Sequence, residues 1–290
     1  MRLPGARRSL TRGLVLVAVL LPLMAPNIEG QWLSAPGEGW VEAAFFHHDT
    51  RRTFDQEGTE RTIFGDGRAI TRSAFFTAVA GVRRGVDVWV QVPAHSLRFD
   101  DAGGERVSRG LGDPRVFLRV GPELFTREAP DWPVALRGGV KLPGGDFDVD
   151  AEVIPLGEGQ TDWELLLELG RSFYPLPLWT SGWVGHRWRL ENSDNRRRPG
   201  NEWFWLWSLG GEVGPAGWKA TLEGLEGDDW IIQSLRIGSA SRHLTQLFLE
   251  LDYGIGPGRL SGGVRVPLRG QNLPAGTGLT AGYFLRFGEG

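Results

Sequence analysis

The sequence predicts an all-β protein, an antiparallel up-and-down transmembrane β-barrel of twelve strands. Three observations lead there. From Gln160 to Leu169 the residues divide into two faces: Gln160, Asp162, Glu164 and Glu168 on one, and Trp163, Leu165, Leu167 and Leu169 on the other. That is the period-2 pattern of a strand wet on one side and apolar on the other. Weaker copies recur down the chain, and beyond Gly30 no apolar run reaches 18 residues, so no second membrane helix competes. The apolar residues are spread one in two, as a lipid-facing barrel wall requires.

The amino terminus reads as an export signal. Residues 1–12 carry four arginines and no acid, and Gly13–Ala25 is an uncharged apolar run of thirteen. That length suits a signal-peptide core and falls short of the ~20 residues a membrane helix needs. Pro26 disfavours cleavage after Ala25, so the expected division is a signal peptide at 1–30 and a barrel at 31–290, beginning Gln31-Trp32. Arg7-Arg8 resembles a twin-arginine signal, but a barrel must cross the inner membrane unfolded. The chain has no cysteine, which removes a lipoprotein anchor, disulfides, thiolate metal sites and a cysteine nucleophile together.

Twelve strands follow at roughly 39–49, 69–80, 86–98, 110–121, 132–142, 159–171, 178–191, 201–212, 217–227, 242–254, 258–268 and 277–287. Tight connections follow the second, eighth and tenth, carrying Gly81–Gly85, Gly214-Pro215-Ala216 and Gly256-Pro257. The connection after the sixth holds Pro175 and Pro177. Those after the odd-numbered strands are longer and polar. Short turns at one end and long loops at the other are the mark of a membrane barrel. Pro122–Asp131 is long for a periplasmic turn and leaves room for a short extra element. The stretch 230–241 offers an alternative of fourteen strands. Pro93 inside the third strand calls for a bulge.

Alternation assigns the faces. Val86, Val88, Val90 and Val92 point to lipid, with Asp87 and Gln91 inside; Val116, Leu118 and Val120 point out, as do Trp203, Trp205, Trp207 and Leu209, with Glu202 inside. Trp40, Trp132, Trp179 and Tyr283, near strand ends, suit the interfacial aromatic girdles. The inward charges are Arg115, Arg119, Arg137 and Lys141 on the fourth and fifth strands, answered by Asp162, Glu164 and Glu168 on the sixth. Arg187 and Arg189 follow on the seventh, Glu250 and Asp252 on the tenth, and Arg259, Arg265 and Arg286 on the last two. Opposite signs on neighbouring strands support one another by ~0.2–1 kcal/mol per pair. These residues line either a selective constriction or a polar network that braces the wall; alternating signs cancel a net field, which weighs toward bracing.

Other constellations read as ordinary. His47-His48-Asp49 ends the first strand, but adjacent strand residues point to opposite faces, so the two histidines cannot share an ion without a bulge. Ser181, Ser208 and Ser261 could serve a barrel-wall lipase, yet no spacing joins them to His186 or His243. Asp146, Asp148, Asp150 and Glu152 lack the glycine and closing glutamate of a calcium loop. No catalytic residue, cofactor or metal is therefore expected. Beyond residue 30 lie 28 basic and 34 acidic residues of the chain's 32 and 35, which leaves no footprint for nucleic acid.

Five stretches resemble a known family: Gln31-Trp32 with the following APGEGW, GLGDPRVFLRV at 110–120, GGVKLPGGD at 138–146, LGEGQTDWELLLELGRSF at 156–173, and VPLRGQNLPAGTGLTAGYFLRF at 266–287. In that order they look like the outer-membrane barrels called meta-pathway phenol-degradation proteins, often labelled transporters. The resemblance covers most of the mature chain. It implies an outer-membrane location, a passive channel for small, hydrophobic or aromatic solutes, and no catalytic residues. Such barrels usually end on an aromatic residue that the assembly machinery reads, whereas here Phe287 precedes Gly288-Glu289-Gly290. Expected partners are small-molecule solutes, outer-membrane lipid and lipopolysaccharide, and the barrel-assembly machinery. The rival expectations are a lumen-sealed structural or surface-interaction barrel and a barrel-wall lipid hydrolase.

Overall fold

In the computed structural model, residues 33–126, 133–144, 154–192 and 196–288 are described. The signal segment 1–30, Trp132 and the acids Asp146, Asp148, Asp150 and Glu152 lie outside them.

Twelve antiparallel strands close a barrel. They are β1 (Gly39–Thr50), β2 (Arg68–Arg83), β3 (Val86–Asp101), β4 in two segments (Gly104–Leu111 and Arg115–Val120), β5 (Val134–Lys141) and β6 (Asp162–Ser172). β7 (Leu178–Arg189), β8 (Glu202–Val213), β9 (Ala216–Gly227), β10 (His243–Ile255), β11 (Gly258–Gln271) and β12 (Gly278–Phe287) complete it. Each strand pairs with its sequence neighbours. β1 then meets β12 from Gly39↔Phe287 to His48↔Gly278, so no edge is left unpaired.

Two features that strain a simple strand reading have local explanations. Pro93 sits within β3, and Gly112 N–H donates to its carbonyl at 2.9 Å. A residue's N–H and C=O point to the same neighbour, so the missing donor of Pro93 faces β4 where β4 is interrupted at 112–114. The break lies in β4, not in a bulge of β3, and no ladder bond is lost. The 230–241 stretch makes a short hairpin, Trp230–Ile232 with Leu235–Ile237, joined by Arg197–Arg198. It stands outside the barrel sheet, so the count is twelve and not fourteen.

The connections divide as expected, with one exception. β8–β9 and β10–β11 are joined through Gly214-Pro215 and Gly256-Pro257, with the glycines at φ +61° and +60°, as a two-residue hairpin with glycine first requires. Pro122–Leu124 supplies a 3₁₀ turn in the long connection after β4. The expected loop after β3 is instead absorbed by longer strands, leaving Ala102-Gly103. By the rule that outer-membrane barrels turn tightly in the periplasm, the turn end is periplasmic. There residues 33–38 cross the barrel mouth, with Gly37 N–H on Gly81 O at 3.0 Å and Ser34 N–H on Asp87 Oδ2 at 3.3 Å.

The outer face is apolar. On β6, Trp163, Leu165, Leu167 and Leu169 are exposed while Asp162, Glu164, Leu166 and Glu168 are buried. Trp40 and Trp179, expected in an interfacial girdle, point inward and are 3% and 7% exposed. Trp40 shares its parity with Ala44 and Phe46 on the inner face, so strand alternation overrides the tendency of tryptophan to sit at an interface. Tyr283 faces out, donating from its hydroxyl to Ile255 O at 3.1 Å. Among the described residues the exposed tryptophans are Trp163, Trp188, Trp203 and Trp207.

Candidate functional site

The barrel interior is a layered mixture of ion pairs and aromatic rings. Toward the loop end, Arg187 Nε lies 2.9 Å from Glu164 Oε1 and its Nη1 lies 2.6 Å from Glu202 Oε2. Arg189 reaches the same Glu202 through Nη1 at 3.1 Å and Asp162 through Nε at 3.4 Å. Lys141 Nζ, fully buried, sits 2.8 Å from Asp162 Oδ2, 3.1 Å from Asp113 Oδ2 and 2.5 Å from Glu158 Oε2. Nearer the turn end, Arg119 bridges Asp87 and Glu168 at 3.1 Å each, and Arg137 Nε meets Glu168 at 2.8 Å. Lys219–Glu250 at 2.7 Å, Arg265–Glu223 and Arg259–Asp252 continue round β9–β11.

Aromatic residues separate these pairs. Trp40, Val79, Trp89, Phe117, Leu166, Trp183, Phe204, Leu206 and Phe284 form one inward cluster drawn from both sides of the barrel. Trp89 meets Phe117 edge-on at 5.1 Å and Trp183 meets Phe204 edge-on at 5.4 Å. The Arg137 guanidinium lies over Phe117 at 5.1 Å and that of Arg187 over Phe204 at 5.0 Å, so rings and cations share the same surface.

One wall of the mouth comes from a connection, not from a strand. Residues 154–161, between β5 and β6, turn into the loop end of the barrel. Ile154 and Leu156 pack on Leu97 and Phe99 of β3. Glu158 N–H donates to Asp113 Oδ2 at 2.9 Å, and the Glu158 carboxylate contacts Lys141, Arg189 and Arg242. Burial pushes the Glu158 carboxyl up, but Arg189, Lys141 and Arg242 outweigh it and hold it well below the usual carboxylate range.

Of the lumen residues expected from sequence, Arg115, Arg119, Arg137, Lys141, Asp162, Glu164, Glu168, Arg187, Arg189 and Arg265 are buried inside. Glu250, Asp252 and Arg259 sit toward the periplasmic mouth and are partly buried. Arg286 also has inward parity and lies beside Trp40 at the strand end, where it is exposed. Asp113 and Arg242 fall inside the expected fourth and tenth strands at inward parity, beside Pro114 and at a strand start, and go unnamed among the expected residues; Glu158 lies in a connection where alternation assigns no face. Lys219 and Glu223 were legible by alternation on β9 and were overlooked.

The rival chemistries find little support. Ser208 Oγ pairs with Thr221 Oγ1 at 2.8 Å. A serine–histidine contact does exist at Ser73 Oγ to His95 Nδ1, 2.8 Å. The other ring nitrogen of His95 abuts Gly112 and has no hydrogen-bond partner among the described residues, so the orienting group a catalytic dyad requires is missing. His48 Nε2 lies 3.2 Å from Gly276 O, a strand-to-loop tie. Among the described residues no group of three metal-ligating side chains converges.

Comparison with solved structures supports the fold. The chain superimposes on the COG4313 outer membrane channel from Pseudomonas putida F1 with a TM-score of 0.73 at 14% identity, covering 91% of this chain and 99% of that one. The beta domain of the Bordetella autotransporter BrkA gives a TM-score of 0.51 at 12% identity, covering 87% and 100%. No curated protein sequence matches the chain. Residues 59–281 match the family model described as "Putative MetA-pathway of phenol degradation", and the chain belongs to that family of outer-membrane β-barrels.

Proposed function

We propose that the barrel is a passive outer-membrane channel for small solutes, amphipathic aromatic compounds among them. The observation that carries this reading is the chemistry of its interior. A sealed barrel filled with apolar side chains would be at least as stable, because a dry ion pair rarely repays the desolvation of both partners. The many inward charges, buried against one another, suit a barrel whose ion pairs can open to water and solute. Rings beside guanidinium groups offer a passing aromatic solute stacking surfaces with polar contacts nearby. Residues 154–161 narrow the external mouth through ion pairs that can be exchanged for water.

Export through residues 1–30, and recognition of the outward stripe Tyr283, Leu285 and Phe287 by the barrel-assembly machinery, belong to the same reading. The test is reconstitution of the mature chain in liposomes and planar bilayers, with aromatic, aliphatic and charged solutes compared. Solute-dependent swelling and discrete conductance steps are expected. Absence of both, in the wild type and in Glu158→Gln, would leave a structural role.

A further inference from the structure

The outward face of β1–β4 at the loop end carries a row of polar residues. His47 pairs in register with Arg72, Arg72 with Ser96, and Ser96 with Arg109. Outward residues share a face, so this row runs unbroken across four adjacent strands. Neighbouring strands lie 4.7–4.9 Å apart, which places the Arg72 and Arg109 backbones about 10 Å from each other.

The row also marks where the apolar wall ends. Below His47 on β1 stand Phe45, Ala43 and Val41; below Arg72 on β2 stand Ala74, Phe76 and Ala78; below Ser96 on β3 stand Ala94 and Val92. Below Arg109 on β4 stands Leu111, itself exposed. This row holds the first polar outward residues met above the apolar wall; Ile70 and Val107 stand one outward position beyond it, with Arg68 and Glu105 above them, which suits the depth of the outer-leaflet headgroups.

The two arginines are free where their neighbours are paired. In the same corner Arg68 is bound to Asp49, Arg98 to Glu105 at 2.7 Å and Arg106 to Asp101 at 2.6 Å. Arg72 and Arg109, both exposed, make no ion pair or hydrogen bond among the described residues. The opposite sector differs: the outward stripes of β6, β7 and β8 end in Trp163, Trp188 and Trp203, and that of β9 in Glu226. Arg269 of β11 is a further exposed arginine at this end, but it stands outside the row that joins Arg72 and Arg109.

We propose that Arg72 and Arg109, with Ser96 between them and His47 beyond Arg72, bind the phosphate groups of an outer-leaflet glycolipid. A guanidinium offers paired donors that match phosphate oxygens, and anionic headgroups attract cations at this depth. A lipid headgroup is held beside the row at high local concentration, whereas a water-borne anion must be drawn from dilute solution. Two guanidiniums on alternate strands suit a headgroup with phosphates at both ends, such as bisphosphorylated lipid A.

The test uses the mature chain refolded in detergent, with displacement of fluorescent lipopolysaccharide by three probes: bisphosphorylated lipid A, dephosphorylated lipid A and inorganic phosphate. Folding is scored by the heat-modifiable shift in gel mobility. The Arg72→Ser/Arg109→Ser variant should bind bisphosphorylated lipid A at least about tenfold more weakly, and Arg52→Ser, at a loop arginine already paired with Glu60 at 2.5 Å, should bind as wild type does. Wild-type protein should bind dephosphorylated lipid A as weakly as the double variant binds the phosphorylated form. Equal binding by wild type and double variant, or equal binding of both lipid forms, overturns the proposal. Competition by inorganic phosphate at the lipid's own concentration overturns the lipid assignment. If the double variant does not fold, Arg109→Gln decides the same question by a severalfold loss. These residues face away from the lumen, so the channel reading stands or falls separately.

Discussion

Glu158 Oε2 lies 2.5 Å from Lys141 Nζ, and the two groups come from different kinds of structure. Lys141 ends a barrel strand, whereas Glu158 belongs to the connection folded into the mouth. Removing one partner of a buried ionic cluster costs about 3–5 kcal/mol. Glu158→Gln keeps the shape and loses the charge, so the closed arrangement of 154–161 should lose at least about tenfold in population. Single-channel recording should show a larger or more persistent open level. Unchanged conductance would mean that this segment does not limit passage.

The acidity of Glu158 sets the pH response. Its carboxyl is held below the usual carboxylate range in the folded protein, against burial, by Arg189, Lys141 and Arg242. A depressed folded pKa gives stabilisation that is fully present above the unfolded value, about 4.3, and is lost as pH falls through the folded value. Conductance should therefore stay flat from neutral pH down to about 5 and increase only once pH falls below the ordinary carboxylate range. Glu158→Gln should remove that acid-induced increase. A titration midpoint near neutral would assign gating to a different group.

Much of this architecture is legible from alternation alone. β6 is the clearest case: Asp162, Glu164 and Glu168 fall inside and Trp163, Leu165, Leu167 and Leu169 outside, as charge and bulk dictate, and only Leu166, apolar yet inward, is placed by parity alone. Trp40 and Trp179 show the limit. A tryptophan is acceptable on either face near a strand end, so only the parity of its neighbours decides, and inward parity prevailed. Glu158 shows a different limit. Its partners Lys141 and Arg189 sit on β5 and β7, and nothing in the local pattern of a loop tells which strands it will reach. Arg119 and Arg137 lie between these cases: their inward facing is readable, but not that they stand directly opposite each other and share Glu168.

That like-charged register makes Arg119 a sensitive position. Arg119 and Arg137 would repel across β4–β5 without Glu168 between them and Asp87 on the far side of Arg119. Arg119→Met leaves Asp87 buried without its cation and should destabilise the barrel by about 3–5 kcal/mol. Arg119→Met/Asp87→Leu removes both charges and should recover most of that loss. Urea midpoints read from the folded-band mobility shift give the comparison. If the double variant is as unstable as the single, the Arg119–Asp87 pair is not the source of the effect.

The outer wall yields a depth-dependent prediction. Leu167 lies at the middle of β6 with its side chain exposed on the outer face, whereas Val213, also exposed, ends β8 at the periplasmic turn. An arginine at the bilayer midplane costs about 2–4 kcal/mol, and one near the interface about 0–1 kcal/mol. Leu167→Arg should therefore lower the unfolding midpoint in lipid bilayers strongly, and Val213→Arg scarcely at all. Both substitutions face away from the ionic lumen, so neither should alter ion selectivity in the fraction that folds. Equal destabilisation at the two sites would be incompatible with a wall in which Leu167 meets hydrocarbon and Val213 meets water.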